Sequence, residues 1–247
     1  VENKTNIRKR FFTYFDLLGY RNFLEKNSSE THEKVIHQFF VHIDSALNLR
    51  KKYKKAQDGS YLNDLTGNRI HFANYSDTVL LWTDGDSEEE FIELLEISYE
   101  CNWRMNLYHF PIRGALVYDE LITLHFNSSE TNYYVNTFFG KGLIHAHDIA
   151  ESQEWAGMVL DNSVLQRIQN FEEIDNKCIK YQVPFKSGKI EMYAMRLVIN
   201  LFTELGLKNT KRDIEENFKR YDKWDETNLS LIKKMENTFT YIDYLKI

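Results

Sequence analysis

The apolar run FFTYF (residues 11–15) leads straight into Asp16, and Gly19 follows three residues later. Such a run reads as a buried strand, yet it ends in an acid whose ionisation without a partner is expensive away from water. Two readings account for the acid: a cap on the helix that follows, or a ligand for a cation. Under both, residues 10–23 make a strand, a tight turn and a helix start, so the fold has to mix strands with helices.

The rest of the chain continues that alternation. Residues 31–52 place Val35, Ile36, Phe39, Phe40, Ile43, Ala46 and Leu47 on one helical face. The polar stretch 56–68 reads as a loop, and residues 69–84 as a hairpin turning at 74–77 with Asp77 at its tip. Ser87 with Glu90 three residues on is a capping box opening a helix that carries Phe91, Leu94, Leu95, Ser98, Cys101 and Met105 and ends near Tyr108. Two extended runs fill 110–126, a polar loop 127–132, a helix 140–155 opened by Gly140 and Gly142, and a strand 157–161. The order β-α-β-β-α-β-β-α-β is that of two ferredoxin-like halves with extra strands around a mixed, largely antiparallel sheet. A strand pair over 181–200 closes the sheet, and 207–247 reads as two helices. This gives one α/β domain over 1–200 and, over 201–247, a helical C-terminal extension packed on it.

Composition narrows what such a domain does. With 43% hydrophobic and 15% aromatic residues the chain folds by burial, and its net charge of -6 leaves no basic footprint for nucleic acid. The basic RKKYKK (residues 50–55) reads as a solvated helix end. Cys101 and Cys178 have no metal-type spacing, and no apolar run is long enough to span a membrane, so a reducing cytoplasm is the expected setting. His145 and His147, two apart on a helix, point to different faces and make no joint metal site.

In this strand order the first strand and the central hairpin are neighbours, which brings Asp16 beside Asp77. Two adjacent carboxylates repel unless a cation sits between them or one is protonated. Magnesium accepts one or two carboxylates together with phosphate oxygens, and a pair of such ions clamps both oxygens of a phosphoryl or nucleotidyl transfer. The 17–20 turn adds backbone amides that suit phosphate, with Gly19 permitting close approach.

These residues carry a family resemblance. The stretch FFTYFDLLGYRNF resembles the first metal motif of class III nucleotidyl cyclases, and NYSDTVLLW (74–82) resembles their metal-binding hairpin. FPIRGALV (110–117) and FFGKGLIHAHDIAESQEWAGMVLD (138–161) are similar to the later strand and helix, so the resemblance spans residues 9–161 in order. It implies a homodimer with sites shared between chains. In each, two Mg2+ or Mn2+ ions held by Asp16, Asp77 and the Leu17 carbonyl align a ribose 3′-hydroxyl on the α-phosphate. Gly19, Tyr20 and Arg21 would contact the substrate.

Where purine cyclases of this family carry an asparagine and an arginine on the helix after Gly140, this chain has Ile144 and Asp148. Another cation, Arg113, Lys141 or Arg21, then has to stabilise the transition state. Arg113 reads equally as a phosphate contact or a surface ion pair. If it meets Asp16 across the dimer, mixing the two single mutants restores part of the activity. The purine readers of the family are also absent, replaced by Ala73 and Thr137. Tyr75 and Phe138 add bulk, Tyr75 reading equally as base contact or hairpin packing. These departures, with PIRGA and the E-x-Q-x-W-x-G helix end, resemble a bacterial subgroup, the pyrimidine nucleotide cyclases of Pycsar anti-phage signalling. That implies UTP or CTP as substrate, read by Tyr75 and Thr137, and a cyclic UMP or cyclic CMP product acting on a separately encoded effector. The residues also admit a catalytically inactive nucleotide-binding or dimerisation module, or a purine cyclase.

Overall fold

A computed structural model of the chain describes residues 4–48, 53–55, 61–63, 69–127, 134–197 and 204–245. Strand β1 (Lys4–Leu17) runs through the middle of the sheet and ends in a turn that enters α1 (Tyr20–Lys26) and α2 (Ser29–Leu47). A separate pair, β2 (Tyr53–Lys55) and β3 (Tyr61–Asn63), precedes the hairpin β4 (Ile70–Tyr75) and β5 (Thr78–Thr83). Then come α3 (Glu88–Tyr108), β6 (Ile112–Asn127), β7 (Tyr134–Phe139), α4 (Lys141–Ser152) and β8 (Gly157–Leu160). Short α5 (Asn162–Arg167) and α6 (Glu172–Lys177) lead to β9 (Cys178–Phe185) and β10 (Gly188–Met195). Helices α7 (Glu204–Lys219) and α8 (Leu229–Tyr244) end the chain, joined through a 3-10 turn at Arg220–Asp222.

The sheet order is β4-β5-β1-β6-β8-β10-β9, with β7 on β6, and among the described residues only the β6–β8 pairing is parallel. Three sequence readings are corrected. Residues 110–126 are not two runs but one strand of 16 residues, β6, which passes straight through Asp119 and Glu120. Those acids lie opposite Arg10 and Lys9 of β1, and opposite charges across a ladder support a strand that reads alone like a turn. Tyr53–Lys55 is a strand rather than a helix end, and Tyr61–Asn63 is a strand inside the expected loop. The remainder of both stretches, and most of the 127–132 loop, lies outside the described residues.

The aromatic run of β1 is explained by burial on both faces. Phe11, Phe15 and Leu17 join the core under α2 and α3, where Thr13 Oγ1 and Ser98 Oγ lie 2.8 Å apart. Phe12 and Tyr14 face the other core, under α4, α7 and α8, and Asp16 continues that face. The capping box of α3 forms, Ser87 Oγ accepting from Glu90 N while Glu90 accepts from Ser87 N. Cys101 and Cys178 are buried free thiols, the first with its pKa pushed up to about 12 by burial. Among the described residues no helix is long and apolar enough to cross a membrane.

The C-terminal helices are part of this core. Asn217 Nδ2 donates to the Met105 and Asn106 carbonyls at 2.8 and 2.9 Å, Thr238 Oγ1 accepts from Ala156 N at 2.8 Å, and Tyr241 packs edge-on against Trp155. At the end of α3, His109 is buried against His42 of α2, with ring centroids 4.2 Å apart, and its Nε2 has no hydrogen-bond partner among the described residues. Burial first, then His42, Lys223 and Arg220, lower its pKa to about 4. The unfolded chain therefore takes up a proton near pH 6.5 that the native state refuses until about pH 4. Stability is fully present above that window and falls as pH drops through it, by about 2 kcal/mol after solvent screening. Urea melts at pH 7 and pH 4.5 should show this loss for the native sequence and a much smaller one for His109→Phe.

Candidate active site

The two aspartates meet because of turn chemistry. Strands β4 and β5 are joined by Ser76 and Asp77 alone, with Ser76 in the left-handed region at φ 54°. Asn74 Nδ2 holds the turn closed on the Thr78 carbonyl at 2.9 Å. Thr78 pairs with Asp16 across the β5–β1 ladder, and the Leu17 amide donates to the Asp77 carbonyl at 2.9 Å. The hairpin tip is thus pinned to the end of β1. Burial raises the Asp16 pKa, Arg113 opposes that rise and Asp77 adds to it. The Asp77 carboxylate has no hydrogen bond or ion pair among the described residues.

Arg113 is neither an open phosphate contact nor a surface ion pair. It is 7% exposed, its Nε donates to Asp16 Oδ2 at 2.7 Å, its Nη1 donates to the Glu151 carbonyl at 2.9 Å, and its Nη2 pairs with the Glu151 carboxylate. Lys186 Nζ completes the chain at 2.9 Å from Glu151 Oε1. Burial pushes the Glu151 carboxyl up, but Lys186 and Arg113 outweigh it and hold it below the ordinary range. Because Arg113 meets Asp16 within one chain, the two residues do not face each other across a dimer.

The two motifs that stand apart in sequence, PIRGA and E-x-Q-x-W-x-G, are one buried cluster. Gln153 Nε2 donates to the Gly114 carbonyl at 2.9 Å and its Oε1 accepts from Trp155 Nε1 at 2.7 Å. Gly157 lies opposite Arg113 in the parallel ladder. A side-chain carbon on Gly114 would sit 2.5 Å from the Tyr14 carbonyl oxygen, so only glycine lets β6 come this close to β1 next to Asp16. Sequence reasoning missed Glu151 and Gln153 as site residues; the helix-end motif was their signal.

On the same sheet face, beside Tyr14, lies a cavity of about 460 Å³. The β6–β7 ribbon curls over the hairpin, setting Phe138 against Trp82 and Tyr75 with ring centroids at 4.9 and 5.7 Å. Tyr75 and Thr137 therefore share this cavity with Thr78, Ile144 and His147. Tyr14 and Thr78 hydroxyls lie 3.1 Å apart at its edge, and burial raises the Tyr14 pKa. Among the described residues the lining holds hydroxyls, one imidazole and apolar groups, with no lysine, arginine or carboxylate. Its volume admits one ring or two, so selectivity has to come from those polar groups.

The remaining predicted residues are more scattered. Gly19 caps α1 at φ 79° with no side chain satisfying the first amides of the helix, while the Leu18 amide is already taken by the Pro111 carbonyl at 2.8 Å. Tyr20 follows, packed on Phe110 and Phe23. Arg21 points outward, its side chain 88% exposed and paired with Glu25. Lys141 opens α4, whose first turn packs on Asp119 through Gly142, whereas Glu151 at the other end reaches Arg113. Ten residues of helix, about 15 Å, separate the two ends, so Lys141 does not reach the Asp16 of its own chain.

The donor set suits a hard divalent cation. Among the described residues no three His, Cys, Asp or Glu side chains gather to form a closed metal cage. Two carboxylates, one of them unpartnered among the described residues, together with the backbone carbonyl of Leu17 that follows Asp16 in the chain, match an ion such as Mg2+ that draws its other ligands from phosphate and water.

No family model and no curated protein matches the chain. Solved structures do. The dimeric guanylyl cyclase domain of the RhoGC fusion protein from the aquatic fungus Blastocladiella emersonii is similar with TM-score 0.53 and 9% identity, over 77% of this chain and 97% of that one. The adenylyl cyclase CyaB from P. aeruginosa is similar with TM-score 0.50 and 12% identity, over 79% and 97%. A bacterial light-regulated adenylyl cyclase gives 14% identity and TM-score 0.49 over 79% of this chain, which spans 53% of that protein's length. The fold is that of the class III cyclase catalytic domain.

Proposed function

We propose that the chain is a nucleotide cyclase that converts a pyrimidine nucleoside triphosphate, UTP or CTP, into its 3′,5′-cyclic monophosphate and pyrophosphate. The observation that carries this is that Asp16 and Asp77 are brought together where the β4–β5 turn is pinned to the end of β1, next to Tyr14 and Thr78, which line a cavity with no ionic base reader among the described residues. Asp16, Asp77 and the Leu17 carbonyl would hold Mg2+ or Mn2+, two per site. When bound, such ions lower the pKa of the attacking hydroxyl and neutralise charge on the leaving phosphates.

The chain's own residues do the rest. Arg113, itself fixed by Glu151, opposes the burial that favours a neutral Asp16 and aims its carboxylate. The turn at Gly19 and Tyr20 approaches phosphate through backbone amides. Thr137, Tyr75, Thr78 and His147 meet the base with groups that both donate and accept, suited to the mixed edge of uracil or cytosine. Two copies form the working unit, with Lys141 reaching the partner's site as its charge stabiliser. The cyclic product then acts in the cytoplasm as an anti-phage signal on a separate effector, without nucleic acid or membrane contact by this chain.

Incubation with each of the four ribonucleoside triphosphates and Mn2+, with products resolved by mass spectrometry, tests the reading. Cyclic UMP or cyclic CMP is the expected product. Faster cyclisation of ATP or GTP at equal concentration removes the pyrimidine assignment and leaves the metal site. Nucleotide binding without any product favours an inactive module, for which the Ile144 and Asp148 replacements speak.

A further inference from the structure

The turn after β1 is held from two sides. In front, the Leu17 and Leu18 amides are taken by Asp77 and Pro111. Behind it lies the connector between α7 and α8, more than 190 residues away in sequence. Lys223 Cβ would stand 3.0 Å from a side-chain carbon added at Gly19, and the Lys223 carbonyl accepts from Asn22 Nδ2 at 3.1 Å. Asn27 Nδ2 donates to the Tyr221 carbonyl at 2.7 Å, and the Tyr221 ring packs edge-on against Phe23.

Two features mark this contact as more than packing. Tyr221 and Asp222 are successive non-glycine residues at φ 61° and 54°, a left-handed conformation that persists only where surroundings enforce it. Lys223 is 1% exposed, and no carboxylate pairs with it among the described residues. Its Nζ donates to the His109 carbonyl at 2.5 Å and to Asn217 Oδ1 at 3.3 Å, and stands 4.5 Å from the centre of the Phe110 ring. One side chain thus joins the end of α3, helix α7 and the segment entering β6, while its backbone holds the turn. A methionine would fill the same space without a buried ammonium, so filling space alone gives no reason for lysine here.

We infer that the α7–α8 connector is a clamp on the turn that follows Asp16, with Lys223 as its positioning residue, so that the C-terminal helices set where the substrate phosphates are met. This rests on the cyclase reading for its kinetic consequence, but the clamp itself has a readout that needs no nucleotide. Lys223→Met removes the three-way tie, and Asn22→Ala removes the turn's bond to the connector without touching the core.

In the full chain, hydrogen exchange of the peptide covering residues 18–26 should rise about tenfold in both variants, with the exchange of β1 and α3 unchanged. With the preferred nucleotide, KM should rise about tenfold and kcat fall much less, since the turn meets phosphate before chemistry. Unchanged exchange in Asn22→Ala and in a folded Lys223→Met overturns the clamp. Raised exchange with an unchanged KM overturns the positioning role and leaves only a fastening one. If Lys223→Met does not fold, Asn22→Ala alone decides. If the native chain turns over no nucleotide, the cyclase reading fails by itself and the exchange measurement still decides the clamp.

Discussion

Asp16→Ala and Asp77→Ala should each reduce nucleotide turnover by on the order of a thousandfold or more, because one carboxylate does not hold the cation pair that the chemistry needs. Their stabilities should then diverge. Asp77 has no side-chain partner among the described residues, so its removal changes the unfolding free energy by no more than about 0.5 kcal/mol. Asp16 is the acceptor for the buried Arg113 Nε, and without it that guanidinium keeps only Glu151 and backbone acceptors. A loss of about 1–3 kcal/mol is expected, several degrees in melting temperature for a chain of this size. Sequence alone makes both substitutions neutral or slightly stabilising, through relief of repulsion. The Asp16–Arg113 pair reverses that for one of them. Metal-free thermal melts beside product assays check both halves, and native-like turnover in either variant removes the metal assignment.

The second large effect concerns chain count. Asp16→Ala destroys the metal end of a site and Thr137→Trp fills the cavity, so each variant alone should be inactive. If one chain supplies the metal end and its partner the base cavity, an equal mixture recovers about a quarter of native activity, from the one intact site in each mixed dimer. Asp16→Ala mixed with Arg113→Met should recover nothing, since those lesions fall in the same half. No recovery in the first mixture, or full activity from a monomer in light scattering, ends the shared-site reading.

How far these sites were legible depends on the range of the interactions. Asp16 beside Asp77 follows from local signals: an aromatic run with one acid at its end, and a hairpin whose turn residues fix its register. Strand β6 was obscured by Asp119 and Glu120, whose compensation by Lys9 and Arg10 lies across a ladder that single-chain periodicity does not reveal. Helices α5 and α6 have six residues each, too few for a helical period to declare itself. The role of Arg113 needed the register of β1 against β6, and that of Lys223 needed the docking of the last two helices. Neither is written in spacing.

The unbroken length of β6 has a mechanical consequence. Its first residues carry the arginine that aims Asp16, and its later ones hold β7, the strand that brings Thr137 and Phe138 over the cavity. A hydrogen-bonded ribbon of this kind transmits tilt along its length better than it absorbs it. Rotation of the ribbon at the cavity is therefore felt at the far end, at the Asp16 of the same chain, and where the sites are shared between two chains that acid belongs to the other site. The two sites of a dimer are then coupled through each chain's own β6, and substitutions midway along the strand reach both ends without touching either.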